Sequence, residues 1–250
     1  MRPGKRLFVG ARVSVATANA RAGCAETLAR RAKDAGVDLR WVAPVNYHVT
    51  LAFLGWAGVE AIGPVCDALE AATAGVDRLA FRTTRLGAFG SLDQASVLWA
   101  GVEDTSGGTG SAGLAGLAAA IGDAMAGLGF ARAPRAFHPH VTLARLRETR
   151  VIRDVVLPMS EQMFGDTRAD AVTLFESETK STGSVYVELE KIALKRASFP
   201  PLGRARSGEK RQTDALERGS ADRAPNQRTE LHGAEEDETD DGWPRGQGPT

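Results

Sequence analysis

Several features are scarce in this chain of 250 residues, and each scarcity argues against a class of protein. There are two cysteines, Cys24 and Cys66, and neither forms a CxxC pair, which argues against a disulfide scaffold or a zinc-finger motif. Both lie in alanine-rich, helix-like segments, so we expect buried, reduced thiols. The N-terminal MRPGKRLFVGARV has no long apolar run, which argues against a secretory signal or membrane span. We therefore expect a soluble cytoplasmic protein.

The chain also has no excess of charge of one sign, because its formal net charge is zero. The total thus gives no argument for a nucleic-acid or membrane partner. The balance is uneven along the chain, since residues 201–250 hold 8 Lys and Arg against 11 Asp and Glu, with Trp243 as their one aromatic residue. Such a segment cannot bury enough apolar surface to offset its ordering entropy. We predict a folded domain over residues 1–200 and a disordered polar and acidic tail over residues 201–250.

Apolar patterning and turn residues predict the secondary structure of the first 200 residues. Strands are predicted at residues 6–13, 38–43, 46–55, 79–89, 96–102, 136–146, 169–179 and 184–195. Helices are predicted at residues 17–35, 58–74, 114–128 and 150–163, and a loop at 107–113. Adjacent strands without a helix between them favour antiparallel pairing, so the predicted fold class is α+β.

One octamer occurs almost unchanged in each half of the domain. HVTLAFLG occupies residues 48–55 and HVTLARLR occupies residues 140–147. Both copies lie on predicted strands, which favours two pseudo-symmetric lobes, each an antiparallel sheet with outer helices, around a shared cleft.

Alternation along a strand assigns the octamer residues to two faces. It places Thr50, Ala52 and Leu54 on the side of His48, with Val49, Leu51 and Phe53 opposite. In the second copy it places Thr142 and Ala144 beside His140 and puts Arg145 on the opposite face. Two histidines and two threonines would then line the cleft.

Paired imidazoles and hydroxyls suit a displacement at phosphorus. Histidine can serve as acid or base near neutral pH, so one ring can activate water while the other protonates the leaving alkoxide. Threonine hydroxyls can donate hydrogen bonds to anionic oxygens. We expect neither a metal ion nor another cofactor.

The histidines are also compatible with roles outside acid and base catalysis. A lone histidine on a strand is most often a hydrogen-bonded structural residue. His138 and His140 could bind zinc with His48 as a third ligand, but no Asp, Glu or Cys stands at a useful spacing. A Ser-His-Asp hydrolase would need a GxSxG elbow, which is missing.

Together with their flanks, the two HVTL motifs resemble the paired HxTx motifs of the 2H phosphoesterases. The finer context is similar to the bacterial and archaeal RNA 2′,3′-cyclic phosphodiesterases, also described as the 2′-5′ RNA ligase family. The matching stretches include RWVAPVNYHVTLAFLG (40–55), FHPHVTLAR (137–145) and VTLFES (172–177), before a final strand with Tyr186. The resemblance covers about residues 5–197.

The resemblance implies a two-lobed fold and hydrolysis of RNA 2′,3′-cyclic phosphate ends to 2′-phosphomonoesters. It implies that His48 donates a proton to the leaving 3′ oxygen and that His140 accepts a proton from water. Thr50 and Thr142 would bind phosphate oxygens, and Arg145 is a further substrate-binding candidate. The two motifs are too alike for the residues alone to assign donor and acceptor. We expect a monomer whose partner is an RNA end or a small cyclic nucleotide.

A few aromatic and titratable residues are compatible with two roles each. His138 stands where relatives commonly have Arg, in FRPH, so it is either a titratable substitute or takes no part. Trp41, Trp99 and Phe8 could stack on a base, but packing in the core accounts for each of them as well.

Two further functions are compatible with the same residues. A non-catalytic RNA- or nucleotide-binding module would keep the cleft without turnover. A phosphodiesterase of the same class could instead act on a small substrate such as ADP-ribose 1″,2″-cyclic phosphate.

Overall fold

The chain alternates between two β-sheets in a computed structural model that describes residues 4–106, 113–180 and 183–195. The predicted tail lies outside these ranges, as does all but the last residue of the predicted loop at 107–113. The elements are, in chain order, β1 (Gly4–Arg12), α1 (Val15–Asp34), β2 (Leu39–Trp41), β3 (His48–Gly58), α2 (Ile62–Thr73), β4 (Leu79–Phe89), β5 (Ala95–Asp104), α3 (Leu114–Gly127), β6 (His140–Arg150), α4 (Arg153–Val156), β7 (Met163–Ala169), β8 (Ala171–Lys180) and β9 (Gly183–Ala193).

Both sheets are antiparallel, which confirms the predicted α+β class. The first sheet has the strand order β3-β1-β8-β9, and the second has the order β2-β6-β5-β4-β7. Each sheet contains one of the two HVTL strands, and these strands, β3 and β6, contact each other. The symmetry is incomplete, because β3 is an edge strand whereas β6 has a neighbour on either side.

The segment between β1 and β3 crosses from one sheet to the other. β2 pairs with β6 of the second sheet, although its neighbours in sequence, β1 and β3, belong to the first. A 3-10 turn at Pro44–Asn46 returns the chain to β3. Pro44 has no N–H to continue a strand ladder, so the predicted strands at 38–43 and 46–55 are separated at this proline, where the chain changes sheet.

The helix predicted at residues 150–163 is wrong. Only Arg153–Val156 is α-helical, followed by a 3-10 turn at Leu157–Met159. Pro158 disfavours a longer helix, because its ring lacks a donor and clashes with the preceding turn. Met163–Ala169 instead forms β7, which pairs with β4 at the edge of the second sheet. This pairing is long-range, so the local pattern could not indicate it.

A continuous apolar cluster joins both sheets to the helices, and a smaller aromatic cluster borders β3. The smaller cluster consists of the buried Phe8 and Phe175 with Phe53 and Tyr186 packed against them. The two cysteines are unpaired as predicted, but the predicted burial is confirmed only for Cys24, because Cys66 is half-buried. No helix within the described ranges is long and apolar enough to span a membrane.

Candidate active site

His48 and His140 begin their strands and are held by the same backbone contact. The Nδ1 atom of His48 lies 2.6 Å from the carbonyl oxygen of Asn46, and that of His140 lies 2.7 Å from the carbonyl oxygen of His138. Because a carbonyl can only accept, Nδ1 carries the proton and donates it in both rings. A neutral ring held in this way has its lone pair on Nε2, which is the atom available for chemistry.

A β-bulge follows the threonine in both HVTL strands. The pairing of β3 with β1 skips Leu51, and the pairing of β6 with β5 skips Leu143. These leucines occupy the same position of the octamer. One extra residue reverses the alternation beyond it, so the side chains that follow change face until the next irregularity, which in β3 skips Leu54.

The bulge corrects the face assignments made by strict alternation. Phe53 pairs with Phe8, and Arg145 pairs with Val97, so both lie on the faces that carry the histidines. Ala144 and Leu54 are buried instead, and Ala52 packs against the main core. The sixth octamer position therefore points into the site in both copies, with an aromatic ring in one and a guanidinium group in the other.

Thr50 and Thr142 remain on the histidine faces, as predicted. Thr50 pairs with Gly10 and Thr142 pairs with Trp99. Both side chains are half-buried. Neither hydroxyl has a hydrogen-bond partner among residues 4–106, 113–180 and 183–195, so both are available to a ligand oxygen.

Burial lowers the pKa of both histidines to about 4. The backbone hydrogen bonds raise these pKa values, and nearby positive charge lowers them. Arg145 contributes to the lowering of both pKa values, Arg12 to that of His48 and His138 to that of His140. The site is thus electropositive and holds two neutral imidazoles at pH 7, and an anion would favour their protonation.

Aromatic rings surround His48 on the first sheet. Its ring centroid lies 4.8 Å from that of Phe8, 5.8 Å from that of Phe175 and 5.1 Å from that of Tyr186, with the Tyr186 ring nearly perpendicular. Gly10 lies beneath, and a Cβ atom there would stand only 3.2 Å from Cδ2 of His48. Because glycine has no side chain, the imidazole of His48 can occupy this position without a steric clash.

A more open set of rings surrounds His140 on the second sheet. Phe89 meets it edge to face at 4.7 Å, and His138 lies nearly parallel to it at 6.2 Å. Trp99 contacts the exposed His138 ring at 5.0 Å. Its indole covers Gly87, where a Cβ atom would come within 2.3 Å of the ring.

The structure separates the remaining candidates. Phe8 is buried beside His48, so it offers no free face to a base, and Trp41 is half-buried and packs against the main core. Trp99 is half-buried beside His138, at the border of the site. The described residues contain no group of three or more His, Cys, Asp or Glu placed to hold a metal ion, so His48, His138 and His140 do not form one.

Sequence reasoning missed the contributions of Phe53, Phe89 and Arg12. A signal for the bulge was nevertheless present in the octamer. Leucines recur three positions apart in both copies, and all four are buried: Leu51, Leu54, Leu143 and Leu146. Residues three apart on a regular strand face opposite ways, so this spacing predicts an extra residue between them.

Two antiparallel sheets, each presenting a His-x-Thr pair, form the architecture of a 2H phosphoesterase. The chain belongs to the family described as LigT like Phosphoesterase, which matches residues 18–99 and 109–186. The chain is 28% identical over 162 residues to the RNA 2′,3′-cyclic phosphodiesterase of Aeropyrum pernix, covering 63% of this chain and 87% of that protein. It is 32% identical over 123 residues to the protein of the same name from Geobacillus stearothermophilus, covering 48% of this chain but only 37% of that protein.

Solved structures share the fold. TT0787 of Thermus thermophilus matches with a TM-score of 0.63 and 22% identity, covering 76% of this chain and 98% of that one. LigT of E. coli complexed with 3′-AMP matches with a TM-score of 0.58 and 23% identity, covering 78% of this chain and all of that one. These likenesses establish the two-sheet fold, and the family match identifies a phosphoesterase.

Proposed function

We propose that the protein hydrolyses RNA 2′,3′-cyclic phosphate ends to 2′-phosphomonoesters without a metal ion. The duplicated histidine geometry carries this proposal: each ring has Nδ1 bound to the carbonyl two residues before it, which leaves Nε2 for proton transfer. Relatives in two organisms bear the name of this activity. A reaction that needs both an acid and a base accounts for two copies of one arrangement.

In the proposed reaction, Nε2 of His140 accepts a proton from water as the water oxygen bonds to phosphorus. The bond between phosphorus and the 3′ oxygen breaks, and Nε2 of protonated His48 gives its proton to that oxygen. The 2′ ester bond stays intact. The assignment of His48 as donor and His140 as acceptor follows the family pattern.

Proton donation requires a charged His48, although burial lowers its pKa to about 4. The bound phosphate resolves this conflict, because a negative charge beside an imidazole raises its pKa. Thr50, Thr142 and Arg145 all lie on the histidine faces, so we assign them to the phosphate oxygens. A guanidinium group is well suited to this task because it can donate two parallel hydrogen bonds.

The proposal is tested with an RNA oligonucleotide that ends in a 2′,3′-cyclic phosphate, in the presence of EDTA. Phosphorus NMR follows conversion to a 2′-phosphate by the wild type, His48→Ala and His140→Ala. We expect conversion by the wild type and its loss in both variants. Rates that collapse in EDTA would contradict the metal-independent mechanism.

The same experiment separates the alternatives. RNA binding without turnover by the wild type would favour a binding module. Turnover of ADP-ribose 1″,2″-cyclic phosphate but not of RNA would retain the chemistry and change the substrate.

A further inference from the structure

Two arginines stand side by side on the face of the second sheet that carries His140. Phe89 pairs with Val97, Val97 pairs with Arg145, and Arg145 pairs with Arg40 on β2. Directly paired residues on antiparallel strands point to the same face. The Phe89 ring touches His140, so this row faces the site. Arg40 is therefore one strand farther from the histidines than Arg145.

The opposite face of β2 fixes this orientation. Leu39 is buried and Trp41 packs against the main core. Arg40 lies between them in sequence and is exposed. Its side chain is therefore on the side opposite the core, where Arg145 also lies.

Repulsion between Arg40 and Arg145 destabilises the sheet locally. Like charges directly opposite each other in a sheet are destabilising. Among the described residues, neither guanidinium group has an acidic partner, whereas Arg82 and Arg153 each bind a carboxylate. An uncompensated pair beside two imidazoles is an arrangement that an anion with more than one charge would relieve.

We propose that Arg40 binds the phosphodiester immediately upstream of the reacting cyclic phosphate. This inference rests on the proposed function, which assigns Arg145 to the reacting phosphate. Neighbouring strands lie about 4.8 Å apart, so the two guanidinium groups can engage successive phosphates of one strand. The site then prefers an RNA end, which has an upstream phosphate, over a nucleoside cyclic phosphate, which has none.

The test compares three substrates. They are a dinucleotide ending in a 2′,3′-cyclic phosphate, the same molecule with a neutral methylphosphonate as its internal linkage, and adenosine 2′,3′-cyclic monophosphate. The ratio of kcat/KM for the dinucleotide to that for the mononucleotide is measured for the wild type, Arg40→Gln, Arg40→Lys and Arg30→Gln. Arg30 is an exposed arginine on α1, so its variant controls for the loss of one positive charge.

Arg40→Gln is expected to lower that ratio about tenfold, as for the loss of one charge-assisted phosphate contact. Arg40→Lys should lower it less, and Arg30→Gln should leave it unchanged. The methylphosphonate should reduce wild-type kcat/KM to the level of Arg40→Gln and reduce the variant no further, because both changes remove one interaction. The salt dependence of dinucleotide binding should weaken in Arg40→Gln by about one phosphate contact.

An unchanged ratio in Arg40→Gln, or an equal response to the methylphosphonate in wild type and variant, would overturn the inference. Absence of turnover by the wild type on all three substrates would instead overturn the proposed function. In that case calorimetric binding of the charged and neutral dinucleotides to wild type and Arg40→Gln still decides the role of Arg40. Circular dichroism of each variant excludes misfolding as the cause of a loss.

Discussion

The two HVTL strands have the same local structure in different surroundings. Each holds its histidine by the carbonyl two residues earlier and has a bulge at the leucine after the threonine. His48 lies among closely packed rings, whereas His140 lies beside the exposed His138. The same local geometry therefore recurs in both copies, while neighbours from other strands give each histidine different surroundings.

The largest expected loss of rate follows removal of either histidine, and a substrate with a better leaving group distinguishes their two roles. Loss of an acid or base costs about 10²–10⁴-fold in rate, so both His48→Ala and His140→Ala should be severely slowed on a cyclic phosphate. Bis(4-nitrophenyl) phosphate has a leaving group that needs no proton, so His48→Ala should lose much less of the wild-type rate on it than His140→Ala. Equal losses of both variants on both substrates would contradict the assigned roles.

The pH dependence of kcat/KM tests whether both histidines have the same low pKa. Because the pKa of each histidine is about 4 in the free protein, the form with one charged and one neutral ring is most populated in acid. We expect kcat/KM to fall about tenfold per pH unit at neutral pH and above, since it reports the free enzyme. The kcat profile should lie at higher pH, because bound phosphate raises the pKa values. A kcat/KM that rises between pH 5 and pH 8 would contradict these values.

Arg145→Gln tests the sixth position of the octamer, one of the two positions at which the copies differ. Its charge lowers the pKa of both histidines, so its removal should raise both, as measured by NMR titration. Loss of a phosphate contact should at the same time reduce kcat/KM about 10–100-fold. Arg147→Gln, an exposed neighbour on β6, is the control and should change neither quantity.

Glycine-to-alanine variants test the close approaches beneath the two sites. The added methyl of Gly10→Ala pushes against His48 itself. That of Gly87→Ala must displace the Trp99 indole, which contacts Phe89 and His138, the two rings beside His140. We expect a fall in kcat of about tenfold for Gly10→Ala and a smaller one for Gly87→Ala, because a displaced catalytic group is costly. Gly23→Ala, which would meet no atom within 4 Å, is the control for kcat.

The smallest effect on activity is expected for Arg21→Met. Arg21 is fully buried between the rings of Tyr47 and Phe164, and its three guanidinium nitrogens lack a hydrogen-bond partner within the described ranges. Replacing such a buried charge with an apolar side chain should raise the free energy of unfolding by about 1–2 kcal/mol. Urea denaturation checks the change, with the exposed Arg30→Met as control, for which we expect a change within about 0.5 kcal/mol. A destabilised Arg21→Met would indicate that its ring contacts outweigh the burial cost.

Most elements could be predicted from apolar periodicity and turn residues, including the strands that carry His48 and His140. The short β7 could not, because Met163–Ala169 becomes a strand only through its pairing with β4. The sequence also could not predict which sheet β2 joins, because a turn at Pro44 allows the chain either to stay in one sheet or to cross to the other. The tail and the residue roles remain predictions.

By itself, the sequence determined the repeated His-x-Thr pairs, the α+β class and the family, because these depend on residue identity and local period. The leucine spacing indicates an extra residue, but only the tertiary structure decided where it lies, and with it the face of Arg145 and Phe53, since the position of a bulge depends on the pairing with the partner strand. It also decided the electrostatics of the site. Burial is the main cause that lowers the pKa of His48 and His140, and the charges of Arg12 and Arg145 add to it. The rings that bury the two imidazoles come from other strands.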